Sequence, residues 1–123
     1  MKVYYCEECG ALYFKANDHG DAVPSCCGQK TKLLEANTTD AAQEKHVPVI
    51  ERDGNKVTVT VGEVPHPMEE DHWITMIALV QNDVVMTKAL KPGDAPKAEF
   101  VVGEGKVEAY EHCNKHGLWK AEA

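Results

Sequence analysis

The residues of this chain that could do chemistry are mainly cysteines and histidines. Four of the five cysteines form two close pairs, Cys6 with Cys9 and Cys26 with Cys27, and sixteen residues separate the pairs. Thiolates supplied as two close pairs are typical of a tetrahedral metal site. A structural zinc ribbon and a redox iron centre both fit this spacing. A disulfide between Cys26 and Cys27 is a third interpretation, although such a ring is strained.

A second set of metal donors is spread over the longer C-terminal part of the chain, at predicted loops and strand ends. It comprises His46, His66, His72, Cys113 and His116. Five protein ligands exceed the four of a structural zinc site, but they fit a square pyramid with one open position. Mixed imidazole and thiolate donors favour iron or copper over calcium or magnesium. An open position on such a metal indicates redox chemistry on a small molecule.

Two histidines are excluded from these sites. His19 lies in a predicted turn close to the cysteine pairs, but four thiolates already fill a tetrahedral shell. His112 is adjacent to Cys113 in a predicted strand. Because neighbouring side chains of a strand point to opposite faces, these two residues cannot readily bind one metal.

Short apolar stretches separated by turn residues predict the elements that must position these donors. The predicted strands are 47–50, 57–61, 73–80, 84–90, 100–102 and 106–113, and Asp53-Gly54-Asn55 predicts a hairpin turn. This spacing favours a mainly β fold, an antiparallel sandwich or barrel. Residues 1–36 are too few to fold on apolar burial alone and need a metal or a partner. A polar stretch then predicts a linker into a larger domain over residues 37–123.

Composition narrows the possible partners. The formal net charge is −7 at pH 7, which argues against nucleic acid because phosphate binding needs clustered Lys and Arg. No apolar run approaches the roughly 20 residues that span a bilayer, so we expect no membrane partner. The N-terminus lacks the apolar region of a secretory signal, and the expected location is the cytoplasm. Disulfides are rare in that compartment, which favours metal binding by the cysteines.

Taken together, these motifs resemble the superoxide reductases, and over essentially the whole chain the two-iron form called desulfoferrodoxin. The resemblance is carried by Glu44-Lys45-His46-Val47-Pro48-Val49-Ile50-Glu51, by His66-Pro67-Met68 with His72, by Cys113-Asn114-Lys115-His116-Gly117-Leu118-Trp119 and by the N-terminal cysteine pairs. It implies a small desulforedoxin-like domain over residues 1–36, followed by an immunoglobulin-like antiparallel β-sandwich. Departures at His112 and at 28–31 touch no expected ligand.

The resemblance also implies two irons per chain. One would be an Fe(Cys)4 centre held by Cys6, Cys9, Cys26 and Cys27. The other would be an Fe(His)4(Cys) centre with His46, His66, His72 and His116 around the iron and Cys113 as the axial ligand. The implied activity is the one-electron reduction of superoxide to hydrogen peroxide, in a homodimer, with rubredoxin as the electron donor.

Two further residues have expected roles in this activity. By resemblance, the Glu44 carboxylate occupies the open iron position after oxidation. Lys45 precedes His46, and a cation there would attract an anion despite the negative net charge; the alternative is a solvated surface lysine. A non-enzymatic electron carrier, a zinc-stabilised binding module and a dismutase are the competing functions.

Overall fold

The computed structural model describes residues 1–17, 19–39, 41 and 43–123, apart from the side chain of Glu44. The chain divides into two compact units, Met1–Glu35 and Ala36–Ala123. The functional assignment of residues 1–36 and 37–123 as two domains stays a prediction. Within the described residues, no helix has the length and apolar character needed to cross a membrane.

The N-terminal unit is built from very short strands. They are β1 (Val3–Tyr5), β2 (Leu12–Phe14), β3 (Ser25–Cys26), β4 (Gln29–Lys30) and β5 (Lys32–Leu34). Three of them form an antiparallel sheet in the order β2-β1-β5, and β3 pairs with β4 as a hairpin. Its described buried residues are Val3, Tyr4, Cys6 and Thr31. So small an apolar core agrees with the expectation that this unit needs a bound metal.

The C-terminal unit is a two-sheet sandwich. Its elements are α1 (Gln43–His46), β6 (Pro48–Asp53), β7 (Lys56–Val61), β8 (Ile74–Gln81), β9 (Val84–Ala89), β10 (Lys97–Val101), β11 (Glu108–Cys113) and β12 (Gly117–Glu122). One sheet has the order β10-β7-β6 and the other β12-β11-β8-β9, and the neighbouring strands are antiparallel.

The core lies between these two sheets. Alternate residues of β7, namely Val57, Val59 and Val61, are fully buried and join Ile77 and Leu79 of β8 in one apolar cluster. This alternation is what a strand with one covered face requires. The predicted sandwich is therefore confirmed, and the six predicted strands correspond to β6 through β11. The sequence did not predict β12, the strands of the N-terminal unit or α1.

Candidate metal centres

Four imidazole rings form a closed ring at one end of the sandwich. In the order His46, His66, His72, His116, each ring contacts the next and the last contacts the first, with centroid separations of 4.8, 4.7, 5.1 and 4.7 Å. Adjacent rings are close to perpendicular, with interplanar angles between 73° and 90°. Four nitrogen donors in such a ring suit the base of a square pyramid.

The donor atoms of these rings converge with the Cys113 sulfur. Nε2 of His46 lies 3.2 Å from Nε2 of His66 and 3.0 Å from Nδ1 of His116. Sγ of Cys113 lies 3.9 Å from the same His116 nitrogen. One donor atom from each of the five residues lies within 4.8 Å of all the others. The five residues singled out from the sequence are thus brought together.

Neighbouring groups fix the orientation of the His66 and His46 rings. His66 stands between Pro65 and Pro67, and its Nδ1 lies 2.7 Å from the Pro67 carbonyl oxygen, which makes Nδ1 the protonated nitrogen and directs Nε2 to the centre. The buried Trp119 ring stacks on His46 at 5.1 Å, and its Nε1 donates a hydrogen bond to the His116 carbonyl at 3.0 Å. Trp119 therefore links two of the donor residues.

The site favours neutral imidazoles. Burial, together with the neighbouring histidines, lowers the pKa of His66 to about 4, although its hydrogen bond to Pro67 opposes the shift. Burial also lowers the pKa of His72, and His116 and Lys115 add to the effect. Metal binding requires the neutral imidazole. These histidines are accordingly in the form that a metal needs at neutral pH.

Cys113 is fully buried, and its sulfur lies within 4.8 Å of a donor nitrogen of each of the four histidines. Burial raises the pKa of this thiol, while hydrogen bonds from the backbone amides of Lys115 and His116 lower it. A bound cation would supply the remaining stabilisation of the thiolate, since coordinated thiols are deprotonated.

One donor atom is left without a partner. Nε2 of His72 is buried and has no hydrogen-bond partner among the described residues. A buried unpaired ring nitrogen costs roughly 1–3 kcal/mol, and ligation of a metal would remove that cost. The mixed nitrogen and sulfur donors and this orphaned atom both fit an iron ion.

Asn114 connects two donor-bearing segments, and the sequence analysis gave it no role. Its Oδ1 accepts a hydrogen bond from the Trp73 amide at 2.9 Å, and its Nδ2 donates to the Asp71 carbonyl at 3.0 Å. These two hydrogen bonds hold the backbone in place on either side of His72. The Asn114 side chain thereby ties the turn between Cys113 and His116 to the segment that carries His72.

Glu111 is the second residue that the sequence analysis left without a role. It is fully buried on the core face of β11, two residues before Cys113, and neither carboxylate oxygen has a hydrogen-bond partner among the described residues. Burial raises the pKa of this carboxyl well above its usual range. Burial in the core therefore disfavours the charged form of this side chain.

The four N-terminal cysteines form the second donor cluster. Their sulfurs all lie within 4.8 Å of one another, with Cys9 and Cys26 at 3.6 Å and Cys26 and Cys27 at 3.9 Å. A tetrahedral metal with bonds of about 2.3 Å separates its sulfurs by roughly 3.8 Å. All four cysteines are free thiols, so the interpretation as a Cys26–Cys27 disulfide is wrong.

A tight turn explains how two adjacent cysteines serve one site. Cys27 and Gly28 form the two-residue loop between β3 and β4, and both have positive φ, 52° and 77°. Positive φ at both central positions is the type I′ hairpin turn. Cys26 is thus on a strand and Cys27 in the turn, which allows both sulfurs to face Cys9. A non-glycine residue in this region is strained by roughly 1–3 kcal/mol, a cost that ligation would offset.

The remaining predicted residues lie as follows. Lys45 is exposed on α1 beside the buried His46. The side chain of Glu44 lies outside the described residues. Neither His19 nor His112 belongs to a donor cluster of the described residues. His112 is instead buried on β11, with Nδ1 2.7 Å from the Thr75 hydroxyl.

Comparison with known proteins agrees with this geometry. The Desulfoferrodoxin family model matches residues 38–122. The chain is 53% identical over 123 residues to desulfoferrodoxin of Nitratidesulfovibrio vulgaris (99% of this chain, 96% of the relative). It is 52% identical over 121 residues to a desulfoferrodoxin homolog of Archaeoglobus fulgidus (98% and 96%).

A solved structure extends the likeness to the fold. The superoxide reductase from Treponema pallidum superposes with a TM-score of 0.77 at 32% identity, covering 97% of this chain and 98% of that one. The fold and the donor sets define a non-haem iron protein. The chain belongs to the desulfoferrodoxin family, and its group of four cysteines and its group of four histidines with one cysteine are consistent with the two iron sites of that family.

Substituting Asn114 should weaken iron binding at the histidine group. Asn114→Ala removes the link to the His72 segment, and losing a group that orients a metal ligand typically lowers affinity 10- to 100-fold. Competition with a ferrous chelator measures this. Asn37→Ala is the matched control, because Asn37 makes a similar pair of bonds to the backbone of Lys120. Equal iron affinity in the two variants would contradict the role of Asn114.

Substituting Glu111 should change how stability depends on pH. Burial raises the pKa of Glu111 well above its usual range in the folded chain, whereas an unfolded glutamate has a pKa of about 4.3. Between the unfolded and the raised folded pKa, unfolding releases a proton, so the contribution of Glu111 to stability falls by up to about 1.4 kcal/mol per pH unit as pH rises. Glu111→Gln removes that contribution.

Urea unfolding between pH 5 and pH 8 checks the Glu111 prediction. The variant should lose less stability with rising pH than the wild type, while Glu99→Gln, at an exposed glutamate on β10, should follow the wild type. Parallel profiles for the wild type and Glu111→Gln would show that burial does not raise the pKa of this carboxyl.

Proposed function

We propose that this chain is a superoxide reductase that converts superoxide to hydrogen peroxide at the site formed by His46, His66, His72, His116 and Cys113. The observation that carries the proposal is the closed ring of four imidazoles with one buried thiol beside it. Five donors of two kinds exceed what a structural zinc site uses. Relatives from Pyrococcus horikoshii and Pyrococcus abyssi that bear the name superoxide reductase, 40% and 39% identical over 98 residues, support the same activity.

The reaction needs one electron and two protons for each superoxide and releases no oxygen. Iron held by these five residues would supply the electron, and a thiolate ligand favours its donation. The protein's own contribution is to hold the donors in place. His66 is oriented by Pro67, the Cys113 sulfur accepts two backbone hydrogen bonds, and Asn114 fixes the His72 segment.

The burial of the donor residues favours access of the substrate from one side of the ring that the four imidazoles form. The Cys113 sulfur, His46 and His66 are buried, whereas His72 and His116 are half-buried. A small anion would therefore approach on the side away from the sulfur. The protein matrix behind Cys113 would keep water from the thiolate.

Two lysines would offset the acidic net charge at the entrance. Lys45 is exposed and adjacent to His46. The charge of Lys115 also lowers the pKa of His72, although its Nζ is 3.9 Å from a carboxylate oxygen of Asp71, which together with Glu69 acts in the opposite direction. Local cations of this kind concentrate an anionic substrate more than the distant net charge repels it, because salt screens distant charges. The expected role of the Glu44 carboxylate at the open position remains a prediction.

We further propose that Cys6, Cys9, Cys26 and Cys27 hold an accessory iron that stabilises the small N-terminal unit and relays electrons. Its sulfur separations suit one tetrahedral ion. The family resemblance implies that the protein is a homodimer and that rubredoxin is its electron donor.

The stoichiometry of the reaction tests the proposed function. The reduced protein is mixed anaerobically with a known amount of superoxide, and peroxide and oxygen are measured. The proposal predicts one peroxide for each superoxide and no oxygen. Oxygen evolution would identify a dismutase, and unaccelerated superoxide loss with reversible redox cycling would identify an electron carrier. A colourless protein with two zinc ions would identify a binding module.

Lys45→Ala should slow superoxide capture without loss of iron. Removing the cation should lower the second-order rate constant about tenfold at low ionic strength and weaken its dependence on salt. Pulse radiolysis measures this rate. Lys56→Ala is the control, since Lys56 is exposed and lies at the start of β7, roughly 17 Å of strand from the end that leads towards His66. Equal rates for wild type and Lys45→Ala would show that Lys45 is a solvated surface lysine with no role in superoxide capture.

Cys9→Ser should remove the accessory iron and leave reductase activity at the other site. The hydroxyl is a poor iron ligand, and the donors of the histidine group lie in the other compact unit. Iron analysis should fall from two ions to one per chain, while a single turnover of the reduced protein with superoxide still yields peroxide. Loss of that turnover with the second iron retained would show that the cysteine centre is required for the chemistry.

A further inference from the structure

The Tyr13 side chain contacts a sulfur of the cysteine cluster. Its hydroxyl oxygen lies 3.1 Å from Sγ of Cys26 and donates a hydrogen bond to it. This sulfur also neighbours Cys9 and Cys27, at 3.6 and 3.9 Å. Tyr13 therefore hydrogen-bonds a sulfur that lies close to two other sulfurs of the cluster.

Strand alternation explains how Tyr13 reaches the cluster. Tyr13 on β2 pairs directly with Tyr4 on β1, so their side chains share one face of the N-terminal sheet. Cys6 lies two residues after Tyr4 and continues that face. Leu12 and Phe14 belong to the opposite face, and Phe14 is 44% exposed.

The hydrogen bond from Tyr13 differs in kind from the backbone donors at this cluster. The backbone amide of Cys9 hydrogen-bonds Cys6 and is the largest cause that lowers its pKa to about 7, and the amide of Glu8 adds to the effect. Such amides belong to the Cys6–Cys9 loop whatever side chains it carries. The donor at Cys26 is a side chain, so a single substitution can remove it without altering the loop.

We propose that Tyr13 sets the reduction potential of the cysteine-bound iron through its O–H···S hydrogen bond to Cys26. The inference rests on the proposed assignment of iron to this cluster. The ferrous centre with four thiolates carries one more negative charge than the ferric centre. A hydrogen bond to sulfur stabilises the more negative form more strongly, and it therefore raises the potential. Tyr13 is a positioning residue that acts through Cys26, and it takes no part in binding superoxide.

Tyr13→Phe in the full iron-loaded chain tests this inference. The aromatic ring and its place on the sheet are retained, and the hydroxyl alone is lost. The midpoint potential is measured by titration with sodium dithionite, which supplies the single electron that reduces each ferric ion, while the sulfur-to-iron absorption is followed. At a fixed applied potential, the ratio of ferrous to ferric iron should fall by several-fold to about tenfold. A tenfold change corresponds to about 59 mV for a one-electron couple.

The absorption spectrum supplies a second readout that a packing defect would not reproduce. Loss of the hydrogen bond raises the energy of the sulfur lone pairs, so the charge-transfer band of the ferric centre should shift to longer wavelength. Tyr110→Phe is the matched control, because the Tyr110 hydroxyl donates to Glu108 on β11. That control should leave both the potential and the spectrum of the cysteine centre unchanged.

The outcomes separate this inference from the proposed function. An unchanged potential and band in iron-loaded Tyr13→Phe would overturn the role of Tyr13 alone. A wild-type chain without ferric-thiolate absorption from the N-terminal cysteines would overturn the accessory iron and the role of Tyr13 together. In both cases, reduction of superoxide at the histidine group is judged independently by its stoichiometry.

Discussion

The structure depends on the close approach of five metal donors that the chain supplies from four separate segments. His46 ends α1, His66 lies in a loop after β7, His72 precedes β8, and Cys113 with His116 flank the turn between β11 and β12. Without a cation, this arrangement leaves a buried nitrogen of His72 without a hydrogen-bond partner, and burial disfavours protonation of His66, whose pKa it lowers to about 4. A bound metal ion would stabilise this arrangement, because the neutral nitrogens and the sulfur would then be its ligands. The sandwich provides a frame stiff enough to hold the donors together.

That stiffness comes from local features around each donor. Prolines flank His66: the φ angles of Pro65 and Pro67 are themselves fixed, and Pro67 restricts the backbone of His66 to extended conformations. Gly117 ends the turn after His116 with a φ of 79°, and a Cβ there would approach the Thr39 hydroxyl oxygen to 2.9 Å, so the close packing of this turn requires glycine. Trp119 covers His46 and binds the His116 carbonyl. Each of these residues helps to position a nearby donor, so the geometry of the site depends on local contacts in several segments.

The sequence was sufficient to predict both donor sets and most of the sandwich. Alternating valines over 57–61 predicted β7, and metal binding was indicated by the two close pairs of cysteines and by the set of four histidines with one cysteine at predicted loops and strand ends. The alternation of apolar and polar residues did not predict β12, because Leu118 and Trp119 are buried at consecutive positions. It also failed for the two- and three-residue strands of the N-terminal unit, which are too short to display a period. The sequence did not reveal the roles of Asn114 and Tyr13 because these depend on hydrogen bonds between distant segments. It did not reveal that of Glu111 because complete burial of a carboxyl is set by the packed fold.

X-ray absorption of the iron that remains in Cys9→Ser tests the central claim most directly. With the cysteine cluster emptied, the edge and fine structure report a single centre. The account predicts four nitrogen scatterers and one sulfur scatterer around this iron, in agreement with the five donors that converge in the structure. Iron without a sulfur neighbour, or with several, would contradict the assignment of His46, His66, His72, His116 and Cys113 to one centre.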